Sequence, residues 1–386
     1  RSSLEALVDW KPTPVRITPE NSESQSPDVK LTDSKVRGSS EAPVDYITAT
    51  WPEPNPDALQ FFSIGDQGNG GQAQRQVASM LQRAANYYDA KFVLGLGDNF
   101  YMAGVRNVKD PLLRHRFEAL YTKDPLGQIP FHPTHGDHDA VGNVTALVAY
   151  STISKSWNMP DHYYELDFPI PEGGGGGNFH VIVTDSVRLE GYFSESPDDR
   201  RFGDALQHHP EDNDYNAGLK HAEWLTNTLE ESVKNDDTWR VVVGHRPVIS
   251  GSARFLNDLR SFPVEAKMRA WLRDKLAASE VDLFLDGHDH TIQWQCAEGV
   301  NYVVNGIGGY DTHALRRDPP EEAVYQHTGK HGFAIHQVTK DVIQTTWIDM
   351  RGEVIKTIDI PHFNQCKSAR EMGAKPMEPP PPSPSN

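Results

Sequence analysis

Five short segments constrain this chain more than anything else in it. They are Ile64-Gly65-Asp66-Gln67-Gly68, Gly97-Asp98-Asn99-Phe100-Tyr101, Gly136-Asp137-His138-Asp139, Gly244-His245-Arg246-Pro247 and Gly287-His288-Asp289-His290. Each is read as the end of a strand, with Asp, Tyr or His presented at the first turn beyond it. In an α/β sheet the carboxyl ends of the strands converge on one crevice, so residues far apart in sequence can meet there. The glycines let the backbone turn sharply and approach closely. Taken singly, each Asp or His is an ordinary turn or capping residue. Five in this order, each behind an apolar run, point to one constellation.

The surrounding pattern agrees with an α/β domain. Short apolar runs alternate with helical periodicity: strand at 59–64, helix at 72–86, strand at 92–96, helix at 111–121. Further strands are expected at 162–168, 179–184, 240–243, 283–285, 302–305, 332–338 and 342–349, with helices at 216–233 and 263–278. The last strands follow one another without helices, which implies antiparallel pairing. The five glycines Gly173 to Gly177 lie between two strands and no helix follows, so they read as a hairpin connection and not as a phosphate loop. Residues 1–57 are rich in Pro, Ser, Asp and Glu without periodicity and read as an extended or disordered leader; residues 58–362 form the domain; residues 363–386 are a proline-rich tail.

The chain has 386 residues with 37 Lys+Arg against 54 Asp+Glu, a formal charge of −17, which argues against a nucleic-acid partner. No apolar stretch approaches the roughly 18 residues needed to span a bilayer. The first residue is Arg and no signal pattern follows, so the sequence reads as a mature or trimmed form. The two cysteines, Cys296 and Cys366, are too few for a disulfide framework or a thiolate metal site; one bridge or two free thiols are the alternatives.

Carboxylate and phenol oxygens together with imidazoles suit hard or borderline ions such as ferric iron, zinc or manganese. His288 and His290, two apart on an extended loop, can address two ions a few ångström from each other. The five segments resemble the metallophosphoesterase pattern, and Tyr101 makes the chain look like a purple acid phosphatase of the small tartrate-resistant type. The stretches Gly95 to Val105 and Gly142 to Pro160, and the strands after Tyr302, are similar as well. The resemblance implies a four-layer fold, two mixed β-sheets packed face to face and flanked by helices. It gives a first ion Asp66, Asp98, Tyr101 and His290, and a second ion Asp98, Asp137, His245 and His288, with Asp98 bridging. The ions it implies are Fe(III) with Fe(II), Zn(II) or Mn(II). Two such ions polarise a phosphoryl oxygen and generate hydroxide from water for attack on a phosphate monoester. His138 is then expected to touch the phosphate or the leaving oxygen.

Two departures from the family pattern bear on activity. Asp137 stands where the resemblance leads one to expect Asn, and Ala253-Arg254 replaces an acidic residue followed by His. The added charge of Asp137 is expected to tighten the second ion while making the pair less electrophilic. Arg254 could clamp phosphate in place of the missing His. The leading expectation is therefore an acid phosphatase, secreted or lumenal, with activity reduced by these changes. A catalytically impaired anchoring protein, using its terminal extensions for protein partners, and a phosphodiesterase relative are the alternatives. Asn143-Val144-Thr145 is a sequon for a glycan at Asn143.

Overall fold

A computed structural model describes residues 16–17, 48–193, 215–235, 237–255 and 263–373. Most of the expected leader and the proline run of the tail lie outside the described residues. Two mixed sheets form the centre. The larger orders its strands β1 (Arg16–Ile17), β5 (Tyr164–Pro169), β6 (Asn178–Val183), β7 (Trp239–Val243), β8 (Leu283–Asp286), β10 (Val300–Asn305), β9 (Ile292–Ala297) and β11 (Ala323–His327). The smaller runs β14 (Val354–Ile360), β13 (Ile343–Asp349), β12 (Gly332–Val338), β2 (Leu59–Ile64), β3 (Ala90–Leu96) and β4 (Phe131–Thr134). Within them β2, β3 and β4 are mutually parallel, as are β6, β7 and β8. The late strands β12, β13 and β14 pair antiparallel, as expected.

Side-chain alternation explains why the central strands read as unbroken apolar runs. In β6, β7 and β8, Val181, Val183, Val241, Val243, Leu283 and Leu285 enter the core between the sheets. Their neighbours Ile182, Val242 and Phe284 point the other way, into a second core under the helices Tyr215–Lys234 and Pro263–Ala278. A strand covered on both faces has no polar side to reveal a period of two. The sheets meet through an aromatic column in which Phe92 stacks on Phe61 at 4.8 Å and on Phe168 at 3.8 Å. The helix Gln72–Tyr87 buries Val77, Leu81 and Ala84, spaced along one stripe, against the smaller sheet's side of the core. The result is the expected four-layer arrangement of helix, sheet, sheet and helix.

Several local expectations change. The helix expected at 111–121 spans those residues, with a π-helical stretch, Leu113–Glu118, inside it. Strands β11 and β14 and the helix Ser186–Phe193 had no counterpart among the expected elements. Packing also reaches beyond residues 58–362. Trp51 is buried, its indole N–H donates to the Gly352 carbonyl at 2.8 Å, and its ring stacks on Tyr88. At the other end Cys366 bonds to Cys296 of β9, Cα to Cα 5.8 Å, and Ser368 is buried. The start of the tail is thus tied to the larger sheet. The glycine run does connect the antiparallel hairpin β5–β6.

Candidate metal centre

The strand ends do converge. Asp66 follows β2, Asp98 and Tyr101 follow β3, Asp137 follows β4, His245 follows β7, and His288 and His290 lie between β8 and β9. Each sheet supplies part of the set, and all seven side chains are buried. Three of them take left-handed backbone, with φ of 60° at Asp66, 51° at Asp98 and 63° at His288. Such conformations in residues other than glycine cost on the order of 1–3 kcal/mol each and persist where surrounding structure enforces them, commonly at functional sites. Close approach explains two of the motif glycines. A Cβ at Gly97, where φ is +91°, would sit 2.3 Å from His245 Nδ1, and one at Gly136 would sit 2.1 Å from Asp98 Oδ1.

Two overlapping groups of donor atoms result. In the first, the Tyr101 hydroxyl lies 3.0 Å from Asp66 Oδ1 and 3.1 Å from His290 Nε2, while His290 Nε2 and Asp66 Oδ1 are 3.4 Å apart. In the second, Asp137 Oδ1 is 2.9 Å from His245 Nε2 and 3.1 Å from His288 Nδ1. Asp98 Oδ1 lies 3.4 Å from His245 Nε2, and ligand atoms of Asp66, Asp98 and His245 all fall within 4.8 Å of one another. Asp98 therefore sits where the two groups meet.

Neighbouring groups hold these side chains in place. His245 Nδ1 donates to the Leu96 carbonyl at 2.8 Å, which leaves Nε2 as the ligating nitrogen. His290 Nδ1 is paired with Asp311 at 3.0 Å, and its ring stacks on His313 at 4.0 Å. Tyr310 stacks on Tyr101 at 4.0 Å. Asp139 accepts from the backbone N–H groups of Asn99, Phe100 and Gly136, locking the second segment to the third. Sequence reasoning gave Tyr310, Asp311 and His313 no role, although Gly306, Gly308 and Gly309 at the end of β10 precede them much as glycines precede the other site residues. Asp139 was visible in the third segment, but only its contacts show it to be a clamp.

A cavity of about 280 Å³ opens over the site, lined by Asp98, His138, Arg254, His288, His290 and Asp311 among others. His138 and Arg254 are thus brought to the same cleft as the ligand candidates. His138 Nδ1 bonds the Met102 carbonyl at 2.7 Å, leaving Nε2 available, and the His138 backbone N–H donates to Asp98 Oδ1 at 3.0 Å. Asn143 lies apart from this set and caps the helix Val144–Tyr150, its Oδ1 accepting from Ala146 N at 2.8 Å.

The electrostatics of the cluster ask for cations. Burial, countered by His245 and reinforced by Asp137 and Asp66, pushes the Asp98 carboxyl up to about 7. Burial acts to raise Asp137 too, but His288, His245 and Arg246 hold it well below the usual carboxylate range. For His245 burial acts downward, yet Asp98, Asp137 and Asp66 hold the imidazole well above its ordinary value. Burial and the nearby carboxylates raise the Tyr101 phenol well above 10, so only a cation at close range would ionise it near neutrality. Asp137 Oδ2 is buried with no hydrogen-bond partner. An oxygen-rich donor set with imidazoles, so crowded and so dependent on protons, fits two metal ions.

A pH dependence follows for protein stripped by a chelator. Asp98 has a folded pKa of about 7 against an ordinary 3.8, so the folded state binds the extra proton in between. Its contribution to stability is present below about pH 4 and is lost as pH rises through about 7. His245, also raised, has the same sign. Buried His132, His221 and His336 act in the opposite sense, burial holding each below its ordinary 6.5, so the readout is a difference. The change in urea midpoint from pH 5 to pH 8 should be less favourable in stripped wild type than in stripped Asp98→Asn, and added zinc should raise the wild-type midpoint at pH 8. A stripped Asp98→Asn protein with the same change from pH 5 to pH 8 as wild type would contradict this account.

Among known proteins, no family model matches the chain. Against curated proteins, it is 30% identical over 321 residues to tartrate-resistant acid phosphatase type 5 of Homo sapiens, covering 79% of this chain and 91% of that protein. The chain belongs to the purple acid phosphatase family. Purple acid phosphatase 7 of Arabidopsis thaliana is 28% identical over 306 residues, covering 77% of this chain and 84% of its own. The fold agrees with that of purple acid phosphatase PPD1 from yellow lupin, with TM-score 0.55, 14% identity, and 84% of this chain and 58% of that one covered. It also agrees with GAP50, the anchor in the inner membrane complex of Plasmodium, with TM-score 0.63, 20% identity, and 85% and 99% covered. Among the described residues of this family member, no helix is long and apolar enough to cross a membrane.

Proposed function

We propose that this purple acid phosphatase family member hydrolyses phosphate monoesters at a dinuclear metal centre. The observation that carries the reading is the convergence of seven buried donors in two groups, with Asp98 close to Asp66 of the one and 3.4 Å from His245 of the other. Asp66, Tyr101, His290 and Asp98 would hold one ion, and Asp98, Asp137, His245 and His288 the other. Two ions there supply Lewis acidity toward a phosphoryl oxygen and a nucleophile at mildly acidic pH. The chain's own residues do the rest. Arg254 and His138 line the cleft and suit the phosphate oxygens, the first as a planar cation and the second through its available Nε2. Asp311 and Leu96 O fix which nitrogens of His290 and His245 face the ions. Asp139 keeps the loop carrying Asp98 against the loop carrying Asp137.

The Cys296–Cys366 bridge supports a secreted or lumenal location, where disulfides persist, and a glycan on Asn143 belongs to the same proposal. The test is metal analysis of the purified chain together with a panel of phosphate monoesters and diesters. Two ions per chain with monoester turnover is the expected result. Two ions with diester preference would favour the phosphodiesterase relative. Likeness to the fold of an anchoring protein supports a second reading, in which the chain anchors partners through its extensions and turns over little. Two bound ions without turnover on either class would favour it.

Tyr101 is the residue on which the iron assignment rests. A tyrosinate on Fe(III) absorbs visible light by charge transfer, with the partner ion Fe(II), Zn(II) or Mn(II). Tyr101→Phe is expected to bleach the protein while retaining both ions. A wild-type protein that is colourless with two zinc or manganese ions would overturn the ferric assignment and leave the dinuclear site standing.

A further inference from the structure

Beside the candidate ligands lies a buried ionic chain that the proposed chemistry does not use. Arg246 follows His245 directly and is wholly buried, its backbone N–H donating to Ser186 Oγ at 3.2 Å. Guanidinium Nη2 lies 3.9 Å from Asp137 Oδ2, the oxygen that accepts no hydrogen bond. Nη1 is ion-paired with Glu190 of the helix Ser186–Phe193 and lies 3.2 Å from Glu265 Oε2 of the helix Pro263–Ala278. Glu265 Oε1 in turn accepts from Arg269 Nε at 3.1 Å, and Arg269 lies over the Phe255 ring at 4.6 Å. From the cleft outward the charges alternate: Asp137 negative, Arg246 positive, Glu190 and Glu265 negative, Arg269 positive.

We propose that Arg246 is a positioning residue for Asp137: it offsets the charge of the carboxylate at that place in the second donor group and turns Oδ1 toward His245 and His288. The inference rests on the dinuclear reading of the site. Asp137 and Arg246 form one unit, because each alone would be a buried charge facing the wrong neighbours. Without Arg246, Asp137, Glu190 and Glu265 would share a dry region with Arg269 as the cation paired to Glu265 among the described residues. Without the carboxylate, the guanidinium would face the place of an incoming cation. Together the two residues present to the second ion the formal charge of a neutral amide. The loss of electrophilicity expected from Asp137 alone is therefore reduced from behind, by a buried cation that Asp137 shares with Glu190 and Glu265.

The test is a double-mutant cycle with Asp137→Asn, Arg246→Gln and the two combined, with Arg246→Lys as the charge-conserving control. In chelator-stripped protein, urea unfolding should show Arg246→Gln strongly destabilised, and adding Asp137→Asn should recover the folding constant by about tenfold. In zinc-loaded protein, Arg246→Gln should weaken the affinity for inorganic phosphate by about tenfold; Asp137→Asn should restore it, and Arg246→Lys should stay near wild type. A merely structural role for Arg246 would not be repaired by neutralising a side chain in the cleft. If Arg246→Gln yields no folded protein, the combined variant is still expected to fold, and its failure to do so would count against the proposal. Additive losses in both measurements, with Arg246→Lys no better than Arg246→Gln, would overturn it. Fewer than two zinc ions on the wild type would instead strike the dinuclear reading, while coupling in the stripped protein would still decide whether Asp137 and Arg246 act as a pair.

Discussion

Asp98→Ala is expected to empty both ion positions and to reduce phosphatase turnover by at least about a thousandfold, equivalent to about 4 kcal/mol in the activation barrier. The reason is its place where the two donor groups meet. It lies with Asp66 and His245 in one cluster and 3.4 Å from His245, whose own nearest carboxylate is Asp137 at 2.9 Å. On the dinuclear reading each other ligand would serve one ion, so Asp66→Ala or His288→Ala should leave one ion measurable by metal analysis. The stripped Asp98→Ala protein should also be more stable than stripped wild type above pH 7, because a carboxyl pushed up to about 7 is ionised there against Asp66 and Asp137. A variant that keeps two ions, or that loses only one, would show that Asp98 does not bridge.

The second large effect concerns the covalent tie. Cys296 and Cys366 are 70 residues apart in sequence, and a loop of that size costs the unfolded chain about 4 kcal/mol of entropy on the loop-closure account. Cys296→Ser with Cys366→Ser should lower the urea-derived stability by about that amount. Turnover at saturating substrate should be unchanged, since neither cysteine lines the catalytic cleft. A loss below about 1 kcal/mol would mean that the contacts of Ser368 and the Cys366 neighbourhood hold the segment without the bridge.

Much of the fold was legible because its central strands are apolar throughout. Leu59–Ile64 and Gly332–Val338 coincide with the expected runs, and the helix Pro263–Ala278 matches from end to end. What escaped lies at the edges. Strand β14 alternates apolar Val354, Ile358 and Ile360 with Lys356, Thr357 and Asp359, an edge pattern too diluted to stand out, and β11 is shorter still. The helix Ser186–Phe193 begins directly after Asp185, whose Oδ1 accepts from Arg188 N–H at 2.7 Å as an N-cap, a short signal with no long apolar period behind it, and its Glu190 is ion-paired with Arg246, a tertiary partner.

For the candidate site, local sequence marked the residues that converge. A glycine followed by Asp or His at a strand end is a short-range signal, since the turn and the side chain it presents are encoded together. The chain thereby marked its candidate donors, Tyr101 among them. Distances and charge balance were decided only by the tertiary structure. That Asp98 lies between two donor groups, that Asp311 aims His290, and that Arg246 stands 3.9 Å behind Asp137 all depend on two sheets and two helices being packed together. Charge compensation acts through space, and in a buried, low-dielectric region the nearest opposite charge outweighs anything adjacent in sequence. Asp137 looked from sequence like a liability to catalysis; the folded chain places beside it the cation that offsets it.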